Sequence, residues 1–369
     1  MLETYDIGSL PFEGDFAKFQ RGVEEDPLLS LLHPSEKSEE RSYFEDKVLK
    51  GYISKVMAGI DVPVYPQFRD MNQMFIDILK GVVKRPQGYA VVGKIRLRRE
   101  KMMLPEVETL KENSRRISEI TGRPLRLRVC VTGPYTLASL FEHRRPETFT
   151  SLAEPISSIV ECNVFKTKYG GVEVVSIDEP LFGLVDDPLL DFGEDGVESL
   201  LKSWELVFGA AKSKGVRTVY HLHSTTNGLF WEVKNADIVE SHVDDLLYSS
   251  SRTRELLKIH DKLLNASIAI TVFDSLIRSR LYTTEMSAED INQKIGLVWS
   301  SIKAGNVSPL DFLETVDTMK IRLRRIVEAF GYERVAYVGP ECGLRSFPSY
   351  DSAVELLRRV SVAAHQFRA

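Results

Sequence analysis

Two histidines one residue apart, His221 and His223, follow the short β-branched and aromatic run Arg217-Thr-Val-Tyr220. If that run is a strand, its period of two puts both imidazoles on one face at its C-terminal end. More residues of metal-binding type follow later in the chain. Glu240 and His242 lie in the strand-like run Asp237-Ile-Val-Glu-Ser-His-Val243, and Cys342 lies in the loop Pro340-Glu-Cys-Gly-Leu-Arg345. His221, His223, Cys342 and one of Glu240 or His242 would make a four-donor set suited to a borderline-soft tetrahedral ion, Zn²⁺ first among them. Glu240 and His242 fall on one face of their run, so the sequence leaves the choice between them open. Asp178 and Glu179 close another apolar run, where the plainer reading is a helix cap.

These residues can meet only if the chain brings the ends of its strands together. Strand-like runs cover Thr4–Leu10, Gly59–Tyr65, Ala90–Arg96, Leu125–Val131, Val172–Asp178, Arg217–Ser224, Asp237–Val243, Ser267–Asp274 and Arg334–Gly339. Amphipathic stretches separate most of them. Helices are expected over Glu39–Ala58, Met71–Leu79, Pro105–Thr121, Ser151–Tyr169, Gly196–Lys214, Arg252–Leu264, Ser308–Phe330 and Tyr350–His365. This alternation implies right-handed βαβ units, and the count and length favour an α/β fold of the (β/α)₈ barrel type with loop insertions. In such a barrel the loops after the strands converge on one face. No Gly-x-Gly-x-x-Gly opens the first helix, which argues against a dinucleotide-binding sheet. The stretches Pro34–Arg41 and Arg278–Ser287 read as insertions, and residues 1–369 as a single domain.

Composition sets the class. The chain has 369 residues, 43% hydrophobic and 27% charged, with a formal net charge of -5, which is ordinary globular composition. No segment is basic enough to suggest a nucleic-acid groove, and no apolar run approaches the roughly 20 residues of a membrane span. Nucleic-acid and membrane partners are therefore not expected. Three cysteines and no signal-like start make a reducing cytoplasm the expected setting.

Five motifs carry a resemblance: Asp6-Ile-Gly-Ser-Leu-Pro11, Val131-Thr-Gly-Pro-Tyr-Thr136, Ser176-Ile-Asp-Glu-Pro180, Tyr220-His-Leu-His-Ser224 and Val338-Gly-Pro-Glu-Cys-Gly-Leu-Arg345. In this order they resemble the catalytic, C-terminal barrel of cobalamin-independent methionine synthase and its short archaeal-type relatives. These belong to a superfamily that also holds uroporphyrinogen decarboxylase. The resemblance implies a zinc-dependent methyltransferase that passes a methyl group to the thiol of homocysteine. Its donor would be a methylated folate or a corrinoid, the latter carried on a separate protein. His221 and Cys342 then match zinc ligands, Asp178 the carboxylate that holds the substrate ammonium, and Ile7, Gly8 and Ser9 the clamp on the amino acid.

The departures are specific. His223 stands where the family has a cysteine ligand, and Gln67 where it has a second ammonium-binding glutamate. Ser275-Leu-Ile-Arg278 replaces the histidine that would protonate a folate leaving group. A non-catalytic partner subunit and a uroporphyrinogen-decarboxylase-like lyase are the alternatives. The latter is disfavoured because Arg21 is the only arginine among the first 21 residues.

Overall fold

A computed structural model describes residues 2–24, 38–98, 103–281 and 287–368. Its strands are β1 (Glu3–Thr4), β2 (Leu79–Arg85), β3 (Gly88–Leu97), β4 (Leu125–Thr132), β5 (Lys166–Thr167), β6 (Gly170–Glu179), β7 (Arg217–Leu222), β8 (Ile238–Glu240), β9 (Leu263–Ala269) and β10 (Val335–Pro340). Seven of these run in the order β1-β10-β9-β8-β7-β6-β4, and all of those pairings are parallel. The gap between β1 and β4 is crossed by residues 62–64. Tyr5 bridges Val62 and Val64 bridges Arg128, with Val62 N–H donating to Thr4 O and Arg128 N–H to Pro63 O, both at 2.9 Å. The eighth stave is thus present without a regular ladder, because Pro63 in its middle has no N–H to give. The ring is the expected (β/α)₈ barrel.

Several elements differ from the sequence expectation. Ala90–Arg96 is not in the ring. It belongs to β3, which pairs antiparallel with β2 through Arg85↔Gly88, making a hairpin inserted after the second stave. The pair Pro86-Gln87 turns the chain too tightly for a crossover helix, so the two runs pair with each other. The helix expected to reach Leu264 spans Ser251–Ile259. Asp261, at φ 47°, breaks it, and β9 starts at Leu263, four residues before the expected Ser267. The stretch expected as one helix over Pro105–Thr121 is two, meeting at Asn113. Helices Phe16–Glu24 and Ala288–Lys303 were not anticipated. Of the two expected insertions, residues 34–37 and 282–286 lie outside the described residues, while Glu39 and Leu281 lie in helices.

Two packings hold the ring. Its outer side chains, among them Val129, Ile177, Leu222 and Val239, join one large core with helix residues such as Ile156, Trp204, Phe208 and Leu357. Inside the barrel, Tyr5, Val62, Val174, Val219, Ile238 and Tyr337 form a separate apolar plug. Each such side chain contributes about 1.5–3 kcal/mol by leaving water. The period of two then stacks polar residues above the plug: Ser176 and Asp178 above Val174, His221 above Val219, Glu240 above Ile238. The barrel is dry at its base and polar at its mouth. Among the described residues no helix is long and apolar enough to cross a membrane.

Candidate metal centre and substrate pocket

β7 ends on His221-Leu222, and the chain then turns through His223. Cys342 follows β10 by two residues. One ligand atom from each of His221, His223 and Cys342 can be chosen so that all lie within 4.8 Å of one another. Cys342 Sγ is 3.5 Å from His223 Nε2. The His242 ring lies tilted against His223, with centroids 4.2 Å apart, and the His221 and His223 rings are 5.4 Å apart. His242 Nε2 is buried with no hydrogen-bond partner among the described residues. A thiol and three imidazoles thus converge from β7, β8 and β10. This soft-to-borderline donor set, with a buried nitrogen that no protein group satisfies, fits Zn²⁺.

Glu240 occupies a different place. It sits one layer lower, opposite His221 in the β7–β8 register, and its carboxylate is already engaged. Arg128 grips both oxygens, with Nη1 3.1 Å from Oε2 and Nη2 on Oε1, and Asn265 Nδ2 donates to Oε2 at 2.5 Å. His221 Nδ1 approaches Oε1 at 3.2 Å. Arg128 also donates to Ser176 Oγ, which in turn donates to Asp178, and its guanidinium lies 4.9 Å from the Tyr5 ring centroid. All of these groups are buried.

The electrostatics follow from the stacking. Burial raises the Glu240 carboxyl, but Arg128 and His221 overcome it and hold the group down at about 2. Burial lowers His221, yet its contacts with Cys342 and Glu240 push it up to about 10. Burial raises the Cys342 thiol, while the neighbouring imidazoles of His221, His223 and His242 take it well below its ordinary value. The two shifts run in opposite directions and favour passage of a proton from the Cys342 thiol to His221. Burial lowers His223 and raises Asp178, the latter only partly offset by His221 and Arg128. Asp178 faces His221 in register and has no ion-pair partner among the described residues.

A second constellation meets the cluster from the N-terminal end. Gly8, at φ 119°, takes a backbone shape that favours glycine, and its neighbours fix it. Asp6 Oδ2 accepts from Gly8 N–H at 2.9 Å, and Asp6 Oδ1 from Val64 N–H at 2.7 Å. Lys55, fully buried, pairs with Asp6 at 2.7 Å and donates to Gly8 O and Val64 O at 2.7 and 3.0 Å. The loop is thereby held so that Ser9 O accepts from Leu344 N–H at 2.9 Å, beside Cys342. Ile7 is buried in the barrel plug. Gln67 bridges Ser9, and its amide N–H groups go to Tyr65 Oη at 3.1 Å and Cys130 Sγ at 2.9 Å. With both donors used there, the amide has its carbonyl oxygen left for a ligand.

The remaining motifs have structural partners. Glu179 accepts from Tyr135 N–H, Thr136 N–H and Trp204 Nε1 at 2.9, 2.6 and 2.7 Å. It is a helix cap, though for the helix Pro134–Ala138 that precedes it in the chain rather than the one that follows. Glu341 accepts from Val243 N–H and Thr271 N–H at 2.9 and 2.8 Å, tying the loops after β8 and β9 to Cys342. Asp274 opens the helix Phe273–Leu281 and accepts from Trp299 Nε1.

Arg128 and Lys55 were not anticipated from the sequence, although each left a trace there. Arg128 shares the inward face of its strand with Cys130, and Lys55 falls on the apolar stripe of Phe44, Val48 and Tyr52. A charged residue on a buried stripe signals a paired charge. Lys55→Met should lower the free energy of unfolding by about 3–5 kcal/mol, because it strands Asp6. Adding Asp6→Asn should recover part of that, as read by denaturant titration. Equal stability of Lys55→Met and the parent would contradict the paired-charge account.

No protein-family model matches the sequence. The 5-methyltetrahydropteroyltriglutamate–homocysteine methyltransferases of Thermotoga sp. strain RQ2 and Thermotoga maritima are each 25% identical over 189 residues, which is 49% of this chain and 24% of theirs. The chain thus covers about a quarter of the length of these curated relatives. Among solved structures, a B12-independent methionine synthase from Shewanella sp. W3-18-1, in complex with selenomethionine, superposes with a TM-score of 0.61 at 17% identity, covering 99% of this chain and 97% of that one. A Listeria monocytogenes chain described as a vitamin-B12-independent methionine synthase gives 0.59 at 14% identity over 100% and 99%. A methyltransferase from Methanosarcina mazei gives 0.52 at 12% identity over 100% and 96%. At these identities the structural matches establish the fold.

Proposed function

Taking its kinship with the cobalamin-independent methionine synthases as the premise, we propose that this chain is a zinc-dependent methyltransferase acting on the thiol of homocysteine, with a methylated folate as donor. The observation that carries the reading is the convergence of His221, His223 and Cys342, with the His242 ring beside His223, near Asp178 and the Ser9 loop at the barrel's mouth. The two Thermotoga relatives bear the name of that reaction. Two solved structures similar to the chain are B12-independent by name, so a separate corrinoid-carrying protein has no support among them.

His221, His223, His242 and Cys342 would hold the zinc, which supplies a Lewis acid that keeps a substrate thiol as its thiolate. Glu240, gripped by Arg128, faces His221 Nδ1 at 3.2 Å and leaves that ring's other nitrogen for the ion, the place a carboxylate commonly has behind a ligating histidine. Asp178 takes the substrate ammonium, as a buried carboxylate without a cationic partner is suited to do. The Gly8–Ser9 loop and the Gln67 carbonyl supply further hydrogen bonds. An amide in place of a second carboxylate recognises the ammonium without adding charge, so selection of the amino acid falls mainly on Asp178.

X-ray absorption at the zinc edge, with and without homocysteine, tests the reading. One new sulfur in the coordination shell on adding homocysteine is expected. A shell that is unchanged at saturating homocysteine would refute the acceptor.

A further inference from the structure

We propose that this chain forms a two-fold dimer in which the β2–β3 hairpin of each copy docks on the loop Leu181–Asp195 of the other. From Leu79 to Arg98 the hairpin carries Lys80, Lys84, Arg85, Lys94, Arg96 and Arg98 and no acidic residue, in a chain of net charge -5. All six cations are exposed. Arg85 faces Glu142 at 3.6 Å and Lys94 faces Glu154 at 3.5 Å. The other four have no ion-pair partner among the described residues. Lys80 and Arg96 lie directly opposite each other across the hairpin. Like charges so placed repel, and an acidic surface laid over them relieves that repulsion.

The loop after β6 has the complementary character. Between Leu181 and Asp195 there is no lysine or arginine, while Asp186, Asp191, Glu194 and Asp195 are exposed. Asp187 alone is buried, held by Arg144 and Tyr135 at 2.7 and 2.8 Å. Both segments also expose apolar side chains. Val83, Val91 and Val92 on the hairpin, with Leu181, Leu184, Val185 and Phe192 on the loop, make up seven of the 17 large apolar residues exposed among the described residues. Phe192, at 89%, is the most exposed of them. Apolar surface rimmed by charge is the composition of a protein interface.

Position favours a second copy as the occupant. The hairpin and the loop border the same stretch, residues 140–145. Tyr89 N–H donates to Leu140 O and Glu142 N–H to Tyr89 O at 2.9 and 3.0 Å, while Arg144 holds Asp187 on the other side. A two-fold axis near this stretch lays each basic hairpin on the partner's acidic loop. It makes the contact twice and closes the assembly.

Sedimentation equilibrium of the full chain at micromolar concentration, in low and high salt, tests the dimer. A dimer whose dissociation constant rises with salt is expected. Lys80→Glu with Arg96→Glu, and separately Asp186→Lys with Asp191→Lys, should each weaken it at least roughly tenfold. The first pair keeps positions 80 and 96 like-charged, so the hairpin's internal balance is unchanged. Mixing the two variants should restore association as a heterodimer, since reversed hairpin meets reversed loop in one contact and the native pair meets in the other. A parent chain that stays monomeric overturns the proposal. So does a dimer indifferent to both variants, or a mixture that fails to associate.

Discussion

Cys342→Ala is expected to leave a folded protein that has lost its metal, with affinity lowered by more than about 100-fold. Removing an outer partner of a ligating histidine already costs roughly 10–100-fold, and loss of a ligand costs more. Cys342 is the one anionic donor of the cluster, drawn well below its ordinary value by three imidazoles once the opposing effect of burial is overcome. Its removal leaves His221, His223 and His242, all neutral when they bind a metal, and a site with no thiolate to offset the ion's charge. The fold should persist, because Cys342 is only half-buried in a loop. That loop is held by other groups, Glu341 on Val243 and Thr271 and Ser9 on Leu344. Metal content per chain by mass spectrometry after dialysis, with a thermal melt as control, reads the outcome. Full retention of zinc by Cys342→Ala would remove the cluster as the metal site.

Arg128→Met is expected to be among the most destabilising single changes in the barrel, at about 3–5 kcal/mol, because it strands Glu240 in a dry interior. The pH dependence gives an independent signature. Glu240 is held down at about 2 against an ordinary 4.5. A carboxyl lowered in the folded state contributes stability that is complete above the ordinary value and is lost as pH falls toward the folded one. The sign follows because between pH 4.5 and 2 the unfolded chain binds the extra proton. The contribution is about 3 kcal/mol across that window. Arg128→Met should abolish most of this acid limb. Arg128→Met with Glu240→Gln should recover much of the neutral-pH stability, since no charge is then left unpaired. Chemical unfolding from pH 2 to 7 checks both statements, and a parent chain with no acid limb attributable to Glu240 would contradict the account. The same pair matters beyond stability, because Glu240 faces His221 Nδ1.

Much of this was legible in the sequence. The ring followed from alternating strands and helices, and β4, β6, β7 and β10 lie close to where their apolar runs begin and end. Period-two spacing put His221 and His223 on one face, and their rings lie 5.4 Å apart at the end of β7. The hairpin was misread because Ala90–Arg96 has the composition of a stave, while the turn that commits it to β2 is only Pro86-Gln87. β9 was misread because Leu263 and Leu264 continue the apolar pattern of the preceding helix, and only the left-handed Asp261 separates them. The choice between Glu240 and His242 could not be made from spacing, since both fall on one face of their run. What separates their surroundings is Arg128, which grips Glu240 from 112 residues away in the chain. Such pairings have no local signature. The Lys55–Asp6 pair is legible only as a misplaced charge, without its partner.

The contact between Ser9 and the Leu344–Arg345 loop joins residues 336 positions apart, and β1 reaches the ring through Tyr337 and Val338. The ring therefore closes through the most sequence-distant contacts it has. Pairings of such separation pay their loop-closure entropy before they return any stabilisation, which makes them slow to form. Both halves of the candidate pocket, the Gly8–Ser9 loop and Cys342, lie at that seam. During synthesis, a chain that has emerged only as far as β9 can already hold His221, His223 and His242 on neighbouring staves. It has neither the thiolate nor the loop's anchor, so competence arrives with the last strand rather than accumulating along the way.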